Sequence, residues 1–153
     1  MKSLMNDEMQ GGPRMNHSQI QALIETAIKQ LSYSYAPYSH FQVGAALFAD
    51  NGKIYTGCNI ENSSYSATIC AERTAVFKAV SEGVKHFRAI CIVGGKDGNI
   101  TSYTPPCGVC RQVMTEFCDA EEFEIILATD TKDYKIYKLK DLMPLGFGAE
   151  MLE

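Results

Sequence analysis

Cys107-Gly108-Val109-Cys110 places two soft thiolates three positions apart, a spacing at which both can meet one metal ion at the opening of a helix. A redox dithiol uses the same spacing, so the pair alone leaves both chemistries open. Cys70 supplies a third sulfur. It also opens a segment of helical periodicity, so two helix N-termini direct unpaired N–H groups and positive dipole ends at anionic sulfur. Three protein ligands with one position left for water is the pattern of catalytic zinc, whereas a structural site takes four. His17, His40 and His86 read as surface or packing histidines, and a fourth ligand supplied by the fold is the structural alternative.

Glu72 stands two residues from Cys70, close enough to serve the water without ligating the metal. On a bare helix a first-turn Glu is a capping charge. Beside a predicted ligand it reads instead as the proton carrier for a zinc-acidified water. Three thiolates and Zn2+ sum to one negative charge, which disfavours loss of a proton from water. Arg73 shares the helix opening and is expected to offset that charge by donating to a ligating sulfur, with Arg111 beside Cys110 as a second candidate. Cys58, Cys91 and Cys118 read as buried free thiols.

The elements that must position these groups follow from periodicity. Residues 1–15 hold four Met and Gly11-Gly12-Pro13 without a period and read as a flexible N-terminal extension, with 16–153 as a single domain. Ile20, Leu23, Ile24, Ala27, Ile28 and Leu31 predict a helix from Ser18, with Ser18 and Gln21 as its capping box. Residues 33–39 form a polar and aromatic loop broken by Pro37. Segments 41–49 and 54–60 flank Asp50-Asn51-Gly52 and predict a β-hairpin. Further helices are expected over 70–81, closing at Gly83, and over 107–118, with strands at 87–93, 123–128 and 134–139. Residues 94–98 read as a turn without the spacing of a phosphate loop, and 140–143 as a last helical turn before Pro144. This order predicts one domain with a mixed sheet covered by helices.

The 153 residues are 46% hydrophobic and 21% charged, which suits one globular core. Fourteen basic against eighteen acidic side chains and no dense Lys/Arg stripe argue against nucleic acid as a partner and for a small molecule. No apolar run of about eighteen residues predicts a membrane span. Residues 1–14 lack the apolar stretch of a secretory signal, so the expected location is the reducing cytoplasm. Asn62-Ser63-Ser64 matches a glycosylation sequon and in that setting reads as chance.

Cys70-Ala71-Glu72-Arg73 and the stretch Pro106-Cys107-Gly108-Val109-Cys110-Arg111-Gln112 resemble the two signatures of the cytidine deaminase family in its small all-cysteine form. Phe41-Gln42-Val43-Gly44-Ala45-Ala46 and Asn59-Ile60-Glu61-Asn62 extend the resemblance, which runs from about residue 18 to 147. It implies an α/β fold of three layers, α/β/α, with a mixed five-stranded sheet, and one Zn2+ per subunit on Cys70, Cys107 and Cys110. It implies hydrolytic deamination of cytidine and 2′-deoxycytidine to uridine and 2′-deoxyuridine plus ammonia, in pyrimidine salvage. Glu72 would carry protons from water to N3 and to the departing amino group. By the same resemblance Phe41 packs on the pyrimidine, Asn59 and Glu61 bind sugar hydroxyls, and the backbone near Ala71 reads the base. A homotetramer is implied, with Tyr65 at the shared interface and Phe147 reaching a neighbour's substrate. From periodicity alone, Phe41 is a core residue. Ser66 stands where many relatives have Gly, and Pro105 where a small polar residue is common, both bearing on loop shape. The competing readings are a deaminase of a cytosine-containing antibiotic, a nucleic-acid cytidine editor disfavoured by the acidic charge, and a structural or regulatory zinc module that binds nucleosides without turnover.

Overall fold

Alternation of apolar residues along three strands divides the interior into two layers, one on each face of a single sheet. The structure is a computed structural model that describes residues 14–153. Its elements are α1 (His17–Gln30), β1 (Phe41–Ala49), β2 (Ile54–Cys58), α2 (Ala71–Ser81), β3 (Phe87–Lys96), α3 (Gly108–Phe117), β4 (Glu124–Ala128), β5 (Tyr134–Lys138) and the short α4 (Leu139–Leu142). The sheet order is β2-β1-β3-β4-β5. Only β3 and β4 run parallel, the other three pairings being antiparallel. The mixed five-stranded sheet is therefore the one expected.

Because successive side chains point to opposite faces, Ala45, Leu47, Ile90, Ile92, Ile125 and Leu127 form one layer with Ala75, Val76 and Ala79 of α2 and Met114 of α3. Ala46, Ala89, Cys91, Val93 and Ile126 form the other with Ile20, Leu23, Ile24 and Ala27 of α1. Strands covered on both faces have no polar side to show, which is why β3 and β4 read as continuous apolar runs. Helices on both faces give the three-layer α/β/α fold.

Local signals set the boundaries, with some differences from expectation. Helix α1 begins at His17, and its capping box is Asn16 with Gln19: the Asn16 side chain accepts from the Gln19 N–H and the Gln19 side chain accepts from the Asn16 N–H, both at 2.9 Å. Ser18 donates to Asn16 Oδ1 at 2.8 Å, so it serves the cap without being it. The hairpin forms as predicted, with Gly52 at φ +81°. Strand β2 ends at Cys58, and Ile60 makes isolated bridges to Tyr35 and Ile69. Strand β3 continues to Lys96, so Gly94 and Gly95 are strand residues paired with Val43 and Gln42, and the turn falls at Asp97 and Gly98. Cys58 and Cys91 are buried thiols, while Cys118, at the end of α3, is half-buried. Residues 1–13 of the expected extension lie outside the described residues, and Met15 is buried in the layer beneath α1. Among the described residues no helix is long and apolar enough to cross a membrane.

Candidate active site

Helices α2 and α3 each start on a cysteine. Cys70 is the N-cap of α2 and Cys107 the N-cap of α3, both with extended backbone. The Cys107 sulfur accepts from the Cys110 N–H at 3.5 Å, so a thiol takes the place of the usual Ser or Asp cap. The sulfurs of Cys70 and Cys107 are 3.7 Å apart, and those of Cys70, Cys107 and Cys110 all lie within 4.8 Å of one another. Tetrahedral zinc at its usual sulfur distance asks for sulfur–sulfur edges of about 3.8 Å. The three-sulfur cradle fits that ion. Among the described residues these three cysteines alone make up the cluster, and His17, His40 and His86 are exposed elsewhere.

Arg73 donates from Nη2 to the Cys70 sulfur at 3.4 Å, as expected. Its Nε is buried without a partner. Arg111 does otherwise: Nε donates to the Pro106 carbonyl at 2.9 Å and Nη1 to the Leu142 carbonyl at 2.7 Å. It braces the loop before Cys107 against α4 and does not offset thiolate charge. The Cys70 thiol titrates well below its usual range because Cys110 donates to it, with Arg73 and Cys107 assisting, and the Cys110 thiol is correspondingly raised.

Glu72 is only 4% exposed, one of two buried charged side chains among the described residues. Burial pushes its carboxyl pKa up to about 7, with the negative Cys70 adding to the rise and a backbone N–H bond opposing it. A buried acid at the opening of α2, beside three sulfurs, is poised to hold or release a proton near neutrality. Ala71, which intervenes between Cys70 and Glu72, is fully buried.

Of the expected nucleoside-binding residues, Phe41 lies at the start of β1, and Asn59 and Glu61 in the loop after β2. Phe41 opens β1 and is 40% exposed, so it is not a core residue. Its ring occupies space that a side chain on Gly94 would take, since a Cβ there would sit 3.1 Å from Phe41 Cε1. Asn59 Oδ1 accepts from the Val43 N–H at 2.9 Å and from the Ser34 hydroxyl, while Nδ2 donates to the Phe41 carbonyl at 2.8 Å. Backbone partners on both sides fix which way the amide faces, leaving one N–H for a ligand. Glu61 accepts from the N–H groups of Tyr38 and Ser39 at 2.9 and 3.2 Å and from the Ser39 hydroxyl. The Ser39 hydroxyl is the chief reason its carboxyl titrates below the usual range.

Tyr38, Ser39, Glu61, Tyr65 and Thr68 line an open cleft of about 440 Å³. Tyr65 packs edge-on to Tyr38 with ring centres 6.0 Å apart. Phe147 is exposed, and Gln112 of α3 holds its carbonyl at 2.8 Å. The structure thus gathers Cys70, Cys107, Cys110, Glu72 and Arg73 at one point, and Phe41, Asn59, Glu61 and Tyr65 along the neighbouring loops. Sequence reading missed Ser34 and Ser39. Both bracket the 33–39 loop, and the one available signal was their hydroxyls at its two ends.

Comparison with known proteins is consistent along most of the chain. Residues 15–125 match the family model described as the cytidine and deoxycytidylate deaminase zinc-binding region. The cytidine deaminase of Sporosarcina psychrophila is 46% identical over 133 residues, covering 87% of this chain and 94% of its own. A probable cytidine deaminase of Dictyostelium discoideum is 45% identical over 139 residues, covering 90% of each. The crystal structure of cytidine deaminase from Burkholderia pseudomallei superimposes with a TM-score of 0.76 at 42% identity, covering 87% of this chain and 100% of that one.

Proposed function

The chain belongs to the cytidine and deoxycytidylate deaminase family, and from that membership and its own geometry we infer that it hydrolyses the C4 amino group of cytidine and 2′-deoxycytidine. Water oxygen adds at C4, the C4–N4 bond breaks, and uridine or 2′-deoxyuridine and ammonia leave, as in pyrimidine salvage. The observation that carries this reading is Glu72, buried at the opening of α2 beside a cradle of three sulfurs.

Cys70, Cys107 and Cys110 would hold one zinc ion per subunit, which would supply the Lewis acidity that activates water at neutral pH. Glu72 takes one proton from the attacking water and gives it to N3, then takes the second from the hydroxyl formed at C4 and gives it to the amino group, which leaves as ammonia. Arg73 holds the Cys70 thiolate by its hydrogen bond and offsets part of the cradle's negative charge. Phe41 supplies the face on which the pyrimidine packs, and the backbone at Ala71 reads the base edge. Asn59 offers an N–H and Glu61 a remaining lone pair to the sugar.

Assembly as a homotetramer is supported by the apolar surface of the single chain: Tyr33, Tyr65, Phe77, Leu145 and Phe147 all stand exposed, Leu145 at 98%. In that assembly Tyr65 lies at the interface and Phe147 closes a neighbour's site. A cradle of three reduced thiols suits the cytoplasm, where such groups persist. The test is ammonia release from cytidine by zinc-loaded protein. Turnover is expected, with a loss of several orders of magnitude in Glu72→Ala that still binds zinc. Zinc-loaded, folded protein that turns over no cytosine nucleoside overturns the reading.

A further inference from the structure

The turn that precedes β1 ties the sugar-facing carboxylate to the strand bearing the aromatic ring through one side chain. Ser39 Oγ donates to Glu61 Oε1 and accepts from the Phe41 N–H at 3.0 Å, while the Ser39 N–H donates to Glu61 Oε2 at 3.2 Å. The neighbouring Tyr38 N–H also donates to Oε2 at 2.9 Å, so the carboxylate is gripped on both oxygens. Two further features show that this turn is built for the contact. His40, between Ser39 and Phe41, is held at φ +57°, a left-handed conformation that a side chain such as His adopts at a cost. Its N–H is bonded to the Ala36 carbonyl and its carbonyl to the Asp97 N–H, which keeps the chain in that bend.

We propose that Ser39 is a positioning residue for the reaction: through Glu61 it sets where the sugar docks, and through Phe41 N–H it locks that point to the ring on which the base packs. The inference rests on the reading of Glu61 as the sugar-binding carboxylate. Without the hydroxyl, Glu61 keeps its backbone donors on Oε2, but Oε1 loses its donor and the Phe41 N–H loses its partner. Substrate binding then suffers more than the chemical step, because the hydrogen bonds of Ser39 go to Glu61 and Phe41 and to none of the cradle residues.

The experiment is steady-state kinetics of zinc-loaded protein on cytidine and on 2′,3′-dideoxycytidine, for wild type, Ser39→Ala, Ser39→Thr, Glu61→Ala and the Ser39→Ala/Glu61→Ala double variant. Loss of a hydrogen bond to a charged group corresponds to about a tenfold rise in KM for cytidine in Ser39→Ala, with kcat little changed. Ser39→Thr, which keeps the hydroxyl, restores KM. The double variant matches Glu61→Ala, and the effect of Ser39→Ala disappears on the dideoxy substrate. Losses that add in the double variant, that are equal on both substrates, or that fall on kcat overturn the proposal. Unchanged KM in Glu61→Ala instead overturns the sugar-binding reading beneath it, and the two failures are thereby told apart.

Discussion

Gly57 and Ala71 meet backbone to backbone: a Cβ on Gly57 would lie 2.1 Å from the Ala71 carbonyl oxygen and 2.6 Å from the Ala75 amide nitrogen. Strand β2 thereby sets the depth of the first turn of α2, the turn capped by Cys70 and carrying Glu72. Gly57→Ala must push that turn outward, costing on the order of 1–3 kcal/mol and displacing one sulfur from the cradle. Thermal unfolding and metal content after dialysis against a weak chelator are both expected to fall. Gly108→Ala, where nothing lies within 4 Å of the added carbon, serves as the control. A Gly57→Ala protein as stable and as metal-retentive as wild type contradicts the constraint.

On the proposed reading the three cysteines hold one zinc ion together. Replacing any of Cys70, Cys107 or Cys110 with Ala is expected to lower zinc affinity by orders of magnitude, read by metal competition with a chromogenic chelator. Full affinity in any one variant removes that residue from the cradle.

Arg73→Gln removes a positive charge whose Nη2 sits 3.4 Å from the Cys70 sulfur. The zinc-loaded variant should keep its fold, and the acidic limb of its pH–rate profile should move to higher pH, because a more negative site yields a proton less readily. A profile superimposable on wild type sinks the charge-offset role.

Glu72 carries a stability cost that is visible when the metal is stripped. Its carboxyl is raised by burial, so the folded state binds the proton more tightly than the unfolded chain does, and stability is lost as pH climbs from about 4.5 to about 7. Chelated Glu72→Gln is therefore expected to exceed chelated wild type by up to roughly 3 kcal/mol at pH 8, with the gap closing near pH 4. Urea melts at the two pH values measure it. A gap of the same size at both values would leave the titration without a part in it.

Phe147 is tied by its carbonyl to Gln112 and exposes its ring, an arrangement suited to contact outside its own subunit. On the proposed assembly, mixing Glu72→Ala and Phe147→Ala subunits, each expected to be nearly inactive alone, should restore activity by pairing an intact Glu72 in one subunit with an intact Phe147 in the next. No recovery after verified subunit exchange places the role of Phe147 within its own chain.

The three sulfurs, Glu72 and Arg73 were legible because each stands at the start of a helix whose period is plain, and a residue three positions after a cap returns to the same side. Arg111 misled for the same geometric reason. Adjacent helical residues point about 100° apart, so nearness to Cys110 in sequence carries Arg111 away from the sulfur and toward Pro106 and Leu142. The hydroxyl of Ser39 was illegible because its partner lies 22 residues away, across a hairpin. The run of β3 past Val93 was masked by two glycines, which local statistics assign to turns but which here pair with β1.

The sheet order gives the cradle one more property. Strands β2 and β3, which lead into the helices capped by Cys70 and Cys107, never pair with each other, because β1 lies between them. Their separation is two strand spacings, about 10 Å, bridged above the sheet by sulfurs 3.7 Å apart. A slip of β1 by one residue would flip its side chains to the wrong faces of the sheet. A metal ion on these sulfurs would therefore fasten the start of α2 to the start of α3 across β1, tying together two parts of the chain that the sheet itself leaves unpaired.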